Sequence, residues 1–508
     1  MTESVLLTGA RLPGGGTAEV SLVDGRIESV STAGGGSLAA SRDAATQIVD
    51  LDGRYLIPGL WDKHVHATQW ALVSRRLDLS AAASAADAVG IVAERLRRAS
   101  ASHDESAGIT SDTDAGPLVG YGFRDGLWPD APHRGLLDAV TGARPVILVS
   151  ADLHCCWLNS AALAQHGRAE HPTGLLREDD CFAVTRTLGD VETDTLDGWV
   201  RDAARAAATR GVVGVVDLEM SWNVEDWTRR IRSGSTELRV RFGIYPQHLD
   251  RAIDAGLVTG ALIAGTHGLL QVGPFKVITD GSLNTRTAYC FDEYPGLEGL
   301  AHSRGQLNVP YEELVPMLRR ASQAGLVPAV HAIGDHANTL ALDAFERLGV
   351  GGSIEHAQLI AEVDFERFAR LGVVAGVQPE HAMDDRDVAD KYWPGRTGRA
   401  FALASLLESG AELALGSDAP VAPLDPWITI AAAVARTGDD RAPWHPEQSI
   451  SVADGLFASA DRRRALEPGG PADIAVLDVD PLSASTDELR RMPVAATLLA
   501  GRFTHNAL

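Results

Sequence analysis

Three features of the sequence predict an α/β fold, a (β/α)8 TIM barrel with a small β-sandwich domain formed from both termini and an inserted lid segment. Eight apolar, β-branched runs alternate with Ala/Leu/Arg-rich stretches, both chain ends read as short strands joined by turns, and one long interval separates the first two runs. Alternating strand and helix is the pattern of a parallel sheet, and eight strands is the number that closes such a sheet into a barrel.

The elements follow in order. Val5 to Leu7, Ala18 to Val23 and Arg26 to Val30 read as strands, with Asp24-Gly25 as a hairpin turn. The far end repeats that texture in Ala472 to Asp478 and Val494 to Leu499, followed by the turn Ala500-Gly501, so the two ends are expected to meet in one sheet domain, residues 1–55 with 465–508. The barrel is expected over 56–66 and 196–464, with strands at Leu60 to His66, Val212 to Leu218, Leu238 to Tyr245, Phe275 to Thr279, Leu326 to His331, Ser353 to His356, Val373 to Gln378 and Leu413 to Ser417. About 145 residues separate the first two strands, far beyond an ordinary connection, so 67–195 reads as an insertion. It offers helical Ala/Arg-rich sequence, a polar stretch from Ser100 to Gly116, and one strand of its own, Pro145 to Val149. Insertions at the C-terminal end of a barrel strand overhang the active site, which makes this one a lid.

Composition bounds the function. At 508 residues the chain supports a large core and more than one structural unit. A formal charge of -23, with 45 Lys and Arg against 68 Asp and Glu, argues against nucleic acid, whose phosphates require clustered cations. No stretch reaches the roughly eighteen uninterrupted apolar residues of a membrane span, and the first residues lack the basic and apolar regions of a secretory signal. Four cysteines, Cys155 and Cys156 adjacent, do not make a disulfide framework, so a reducing cytoplasm is the expected location. A small-molecule substrate remains the expected partner.

The chemistry begins with Asp62-Lys63-His64-Val65-His66 at the end of the first barrel strand. Side chains alternate along a strand, so His64 and His66 share a face and two imidazoles there can hold one divalent cation. Polar residues also end other strands: Lys276 on the fourth, His331 on the fifth, His356 on the sixth and Asp418 after the eighth. Singly, each has an ordinary structural explanation, such as a hydrogen-bonded neighbour of the core or a helix cap. Four imidazoles and a carboxylate converging on one barrel mouth suit zinc, manganese or iron.

The order His-X-His, Lys, His, His, Asp over strands one, four, five, six and eight resembles the metal-dependent amidohydrolase superfamily. Asp280-Gly281-Ser282-Leu283, His331 to Asp335, Gln378-Pro379-Glu380-His381 and Ser417-Asp418-Ala419-Pro420 are similar to the branch that includes N-substituted formamide deformylases. The resemblance covers nearly the whole chain and implies a role for each matching position. His64 and His66 would bind one metal, His331 and His356 a second, with zinc the first choice and one or two ions in all. Lys276 would bridge them; an ammonium has no lone pair, and carboxylation by carbon dioxide would convert it to an anionic carbamate. Asp418 would serve as metal ligand and general base, taking a proton from metal-activated water and passing it to the leaving nitrogen.

Substrate contact is expected at His154, Arg286, Glu380, His381 and Trp128, each with a structural alternative. Arg286 faces a substrate carboxylate or pairs with an acid; Trp128 and Trp157 wall an apolar pocket or fill the insertion's core; His336 orients a ligand or lies at the surface. Cys155 and Cys156 read as small core residues. Asn284-Thr285 stand where relatives commonly carry Gly-Ser, and His336 where they often carry Arg, which bears on specificity more than on chemistry. The expected activity is hydrolysis of an amide or N-formyl/N-acyl amine by an enzyme that its relatives' habit would make a homodimer. Deamination of a ring amidine is the alternative within the same chemistry, and a catalytically silent metabolite-binding barrel the alternative outside it.

Overall fold

A computed structural model describes residues 4–32, 46–101, 116–188 and 191–508. Strands β1 (Ser4–Arg11), β2 (Thr17–Val23) and β3 (Arg26–Thr32) form an antiparallel meander, β4 (Gln47–Asp50) runs parallel to β1, and β5 (Tyr55–Pro58) follows. Alternation shows plainly in β2, where Ala18, Val20 and Leu22 are buried and the residues between them are not. Gly59 then leads into β6 (Leu60–Val65), the first barrel strand. A Cβ on Gly59 would lie 2.4 Å from Val213 Cγ1, so only glycine lets the chain pass this close to the neighbouring strand.

The insertion departs from expectation. Instead of one strand its described residues hold five: β7 (Leu77–Asp78), β8 (Leu118–Phe123), β9 (Val146–Ser150), β10 (Cys155–Leu158) and β11 (Leu175–Arg177), in the order β11-β10-β9-β8-β7. β7 and β11 are too short to be seen in a single sequence, and β10 is buried on both faces, so it carries no alternation. These strands and their helices enclose separate apolar clusters around Leu79, Phe123, Leu148 and Trp157 on one side and Ile147, Leu158 and Leu163 on the other. Most of the polar stretch expected from Ser100 to Gly116 lies outside the described residues.

The barrel continues with β12 (Val212–Asp217), β13 (Arg239–Ile244), β14 (Leu270–Ile278), β15 (Pro328–Ala332), β16 (Gly352–His356), β17 (Val373–Val377) and β18 (Leu413–Leu415). All neighbours are parallel, in the order β18-β17-β16-β15-β14-β13-β12-β6, so the eight predicted runs are the eight barrel strands. Closure between β18 and β6 comes just beyond β18. The Asp418 amide donates to His64 O at 2.7 Å and the His66 amide to Ala419 O at 2.8 Å.

The C-terminal strands β19 (Ile474–Leu477), β20 (Val494–Leu499) and β21 (Arg502–Asn506) join the first sheet through an antiparallel β19–β5 pair. β19 is apolar throughout because each face meets a core: Ile474 and Val476 pack into the terminal domain, Ala475 and Leu477 into the barrel's outer layer. Among the described residues no helix is long and apolar enough to cross a membrane.

Candidate metal centre at the barrel mouth

The site is built from strand ends. On β6, Asp62 and His64 share a face, and the Asp62 carboxylate accepts from the Ser417 amide at 2.9 Å and the His64 amide at 3.1 Å, joining the first and eighth strands. Burial pushes the Asp62 carboxyl up to about 6. Gly416 makes the approach feasible, since a Cβ there would lie 2.6 Å from the His64 nitrogen. His64 Nδ1 pairs with Glu355 Oε2 at 2.8 Å, which leaves Nε2 for a ligand.

Glu355 and His356 are consecutive on β16, so alternation should turn them to opposite faces. His356 has φ +76 and Ala357 φ +43, and this left-handed turn brings the imidazole round to the same mouth, its ring 4.9 Å from that of His64. Asp418 also takes positive φ, +58. Such backbone costs about 1–3 kcal/mol per residue and persists where its surroundings enforce it.

His64, His356 and Asp418 offer donor atoms all within 4.8 Å of one another. Asp418 Oδ1 lies 3.5 Å from His64 Nε2 and 3.3 Å from His66 Nε2, and Oδ2 lies 3.9 Å from His381 Nε2. The His331 ring is 4.4 Å from that of His356, edge on, and His331 Nε2 is 3.5 Å from Asp280 Oδ1. Lys276 is fully buried and its Nζ has no hydrogen-bond partner among the described residues; neither have His66 Nδ1, His331 Nε2, His356 Nδ1 and His381 Nε2. Buried polar atoms are normally paired, and a cation at the mouth would satisfy unpartnered imidazole nitrogens there; the Lys276 ammonium, which has no lone pair, would be relieved only by becoming an anion. Imidazole and carboxylate donors fit a divalent transition metal.

The protonation states agree for three of the imidazoles; His66 is raised instead, burial being outweighed by its contact with Asp418. Burial, followed by the charge of Lys276, lowers His64; burial holds His331 and His356 well below the usual imidazole range, as metal ligation requires. Burial opposes charge on Asp418 too, but the surrounding imidazoles prevail and hold its carboxyl well below the usual range. Glu355 is likewise depressed to about 2, burial being outweighed by His64 and Lys276. Burial lowers Lys276 to about 8 against the pull of Glu355 and Asp418.

The expected substrate residues divide. His381 faces Asp418, and its neighbour Glu380 turns toward Arg490, 3.6 Å away, with Oε2 unpartnered and the carboxyl raised to about 7 by burial. His154 is bound to Glu178 through Nδ1 at 2.8 Å. Arg286 lies over the Tyr392 ring at 5.3 Å and has no carboxylate partner among the described residues. Trp128 is half-buried against the insertion's core: it packs on Phe123 at 5.5 Å, and its Nε1 donates to Ala82 O at 3.2 Å. Trp157, Cys155 and Cys156 are buried in the insertion, and His336 stacks on Tyr289 and Phe291.

Sequence reasoning missed Asp62, Glu178 and Glu355 as site residues. Glu355 stands one residue before an expected ligand, where alternation argues against it. Glu178 lies far along the insertion with no motif around it. Asp62, two residues before His64 on the same face, carried a readable signal.

The comparisons agree with this architecture. The chain is 30% identical to Protein LONG AFTER FAR-RED 3 of Arabidopsis thaliana over 90% of this chain and 82% of that one. It is 25% identical to N-substituted formamide deformylase of Arthrobacter pascens over 94% and 93% respectively. In fold it is similar to an uncharacterized metal-dependent hydrolase from Pyrococcus horikoshii, with a TM-score of 0.77, 24% identity, and coverage of 96% of this chain and 99% of that one. The Amidohydrolase family profile matches residues 47–505, and the chain belongs to that family.

Proposed function

We propose that the protein hydrolyses a carbon–nitrogen bond in a small amide, an N-formyl or N-acyl amine by preference. The observation that carries this reading is the compact buried set of His64, His356 and Asp418 at the C-terminal mouth of the barrel, where barrel enzymes do their chemistry, with His66 against Asp418, His331 against His356, and Lys276 buried on the next strand but one from His356. Those six residues would hold a divalent cation, zinc by preference, as one ion or two. When bound, such an ion polarises a carbonyl and lowers the pKa of water from ~15.7 toward ~7.

The chain's own residues supply the rest. Glu355 fixes the His64 ring by accepting from Nδ1, so Nε2 stays directed at Asp418. Asp418, ionised over the working pH range, takes the proton released as water adds to the carbonyl carbon and delivers it to the departing nitrogen. Lys276, lowered to about 8 by burial, is neutral in about a tenth of molecules near pH 7, far more than an ordinary lysine. Its amine would add to carbon dioxide and lose a proton, giving an anionic carbamate that could serve as a ligand. The lysine then ceases to be an unpaired buried cation.

Family membership, the shared fold and the similarity to a formamide deformylase support this reading. A cytoplasmic enzyme, acting as a homodimer on a small molecule and not on nucleic acid or a membrane, completes the proposal. The test is metal analysis with a screen of N-formyl and N-acyl amines. At least one equivalent of firmly held metal and turnover of part of the panel are expected. A metal-replete protein that hydrolyses none of them would overturn the substrate class.

A further inference from the structure

We propose that His154, carried by the insertion and oriented by Glu178, donates a hydrogen bond to the carbonyl oxygen of the substrate, so that the insertion completes the active site. The inference rests on the amide-hydrolysing reading above and deepens it.

The segment around His154 is docked on the barrel from two sides. Asp152 Oδ1 accepts from the His154 amide at 3.2 Å, while Oδ2 accepts from Ser282 Oγ at 3.1 Å and Asn284 Nδ2 at 3.3 Å, both in the loop that follows the Lys276 strand. Glu178 bridges the same parts: one oxygen pairs with His154 Nδ1 at 2.8 Å and the other accepts from Thr287 Oγ1 at 3.0 Å. On the opposite side the Tyr121 hydroxyl lies 2.5 Å from Ala151 O and 2.8 Å from Pro420 O, two residues past Asp418. Leu153 and Glu178 take φ of +65 and +47, strained values that bracket the histidine and its partner.

This network fixes the imidazole and leaves one of its nitrogens free. Nδ1 is committed to Glu178, Phe182 packs edge on against the ring at 5.4 Å, and Nε2 has no protein partner among the described residues. The ring lies within electrostatic reach of the site. The charges of Glu178, Asp152 and Asp418 act on it, and its own charge acts on His331 and Asp280. Burial opposes protonation, but these carboxylates prevail and raise the imidazole's affinity for a proton. With Nδ1–H given to Glu178, a protonated ring presents Nε2–H as a charged donor.

Amide hydrolysis develops negative charge on the carbonyl oxygen, and a preorganised donor aimed there acts where a mere clamp would not. A clamp is also redundant here, because Asp152 and Tyr121 already tie the insertion to both flanking loops. Glu178 is on this view a positioning residue that acts through His154.

The test uses the metal-loaded enzyme and an N-formyl or N-acyl amine that the wild type turns over. His154→Ala is expected to lower kcat by about 10²-fold, the scale of losing one such donor, with metal content and melting temperature unchanged. Glu178→Gln is expected to lower kcat by about tenfold, Glu178→Asp to restore most of the loss, and the double variant to be no worse than His154→Ala alone. A second readout does not need turnover: the His154 side-chain 15N resonance should shift when formate is added to the wild type but not to Glu178→Gln. The inference is overturned if His154→Ala keeps kcat within about threefold of wild type, if the two losses multiply, or if formate leaves the resonance unmoved. A wild type inactive on the whole panel would instead overturn the substrate class, and the formate titration would still decide the contact.

Discussion

His64 is gripped at both ends of its imidazole, by Glu355 at Nδ1 and by the donor set around Asp418 at Nε2. Removing the grip without changing shape tests its worth. Glu355→Gln is expected to weaken metal retention by about 10–100-fold, read by competition with a chelator, because a neutral amide neither fixes the tautomer nor raises the ligand's basicity. Unchanged retention would show that Glu355 serves only the strand. Asp418→Asn separates binding from chemistry. It keeps an oxygen donor but cannot carry a proton, so metal is retained while kcat falls by about 10²–10⁴-fold. Turnover near that of the wild type would remove the proposed base. The sequence marked Asp418 by its place after the eighth strand, but it could not mark Glu355. That side chain reaches the mouth together with His356 only because the chain turns left-handed at the end of β16.

At the scale of elements, the barrel and the C-terminal segment are joined by Asp461, whose carboxylate pairs with Lys63 on β6 and with Arg241 on β13 at 2.7 and 2.8 Å. Burial works against its charge, yet Arg241 and Lys63 prevail and hold the carboxyl well below the ordinary range. A depressed pKa stabilises the fold above the unfolded value of about 3.9, and that contribution is lost as pH falls through this value toward the folded one. Asp461→Asn, which tolerates the same positive φ, is expected to cost about 1.5–3 kcal/mol at neutral pH. In urea unfolding the gap to wild type should narrow as the pH is lowered below about 5; a gap independent of pH would assign the loss to packing. Elements with a strong period were legible in sequence, as the eight barrel strands show. β7, β8, β10 and β11 were not, since two- or three-residue strands and strands buried at nearly every residue carry no alternation, and only their partners define them.

For the whole molecule, a cation held by the six proposed groups, spread from residue 64 to residue 418, would tie the strands of a closed barrel together and bind the folded state alone. Chelation should therefore lower the melting temperature, and restoring zinc should recover it; metal at about 100 times its Kd contributes about 2.7 kcal/mol. A melting curve indifferent to chelator would argue against an ion held by these residues. Along the chain, the apolar period marked eight strands, the two sheet-forming ends and the polar residues at strand ends, because burial writes periodicity into the local sequence. What joins those positions is not local. The compact set of His64, His356 and Asp418, the unpartnered Lys276, the five-stranded insertion and the docking of His154 through Glu178 arise where distant segments meet. A contact between residues hundreds of positions apart leaves no pattern in either neighbourhood, and only the closed barrel decides it.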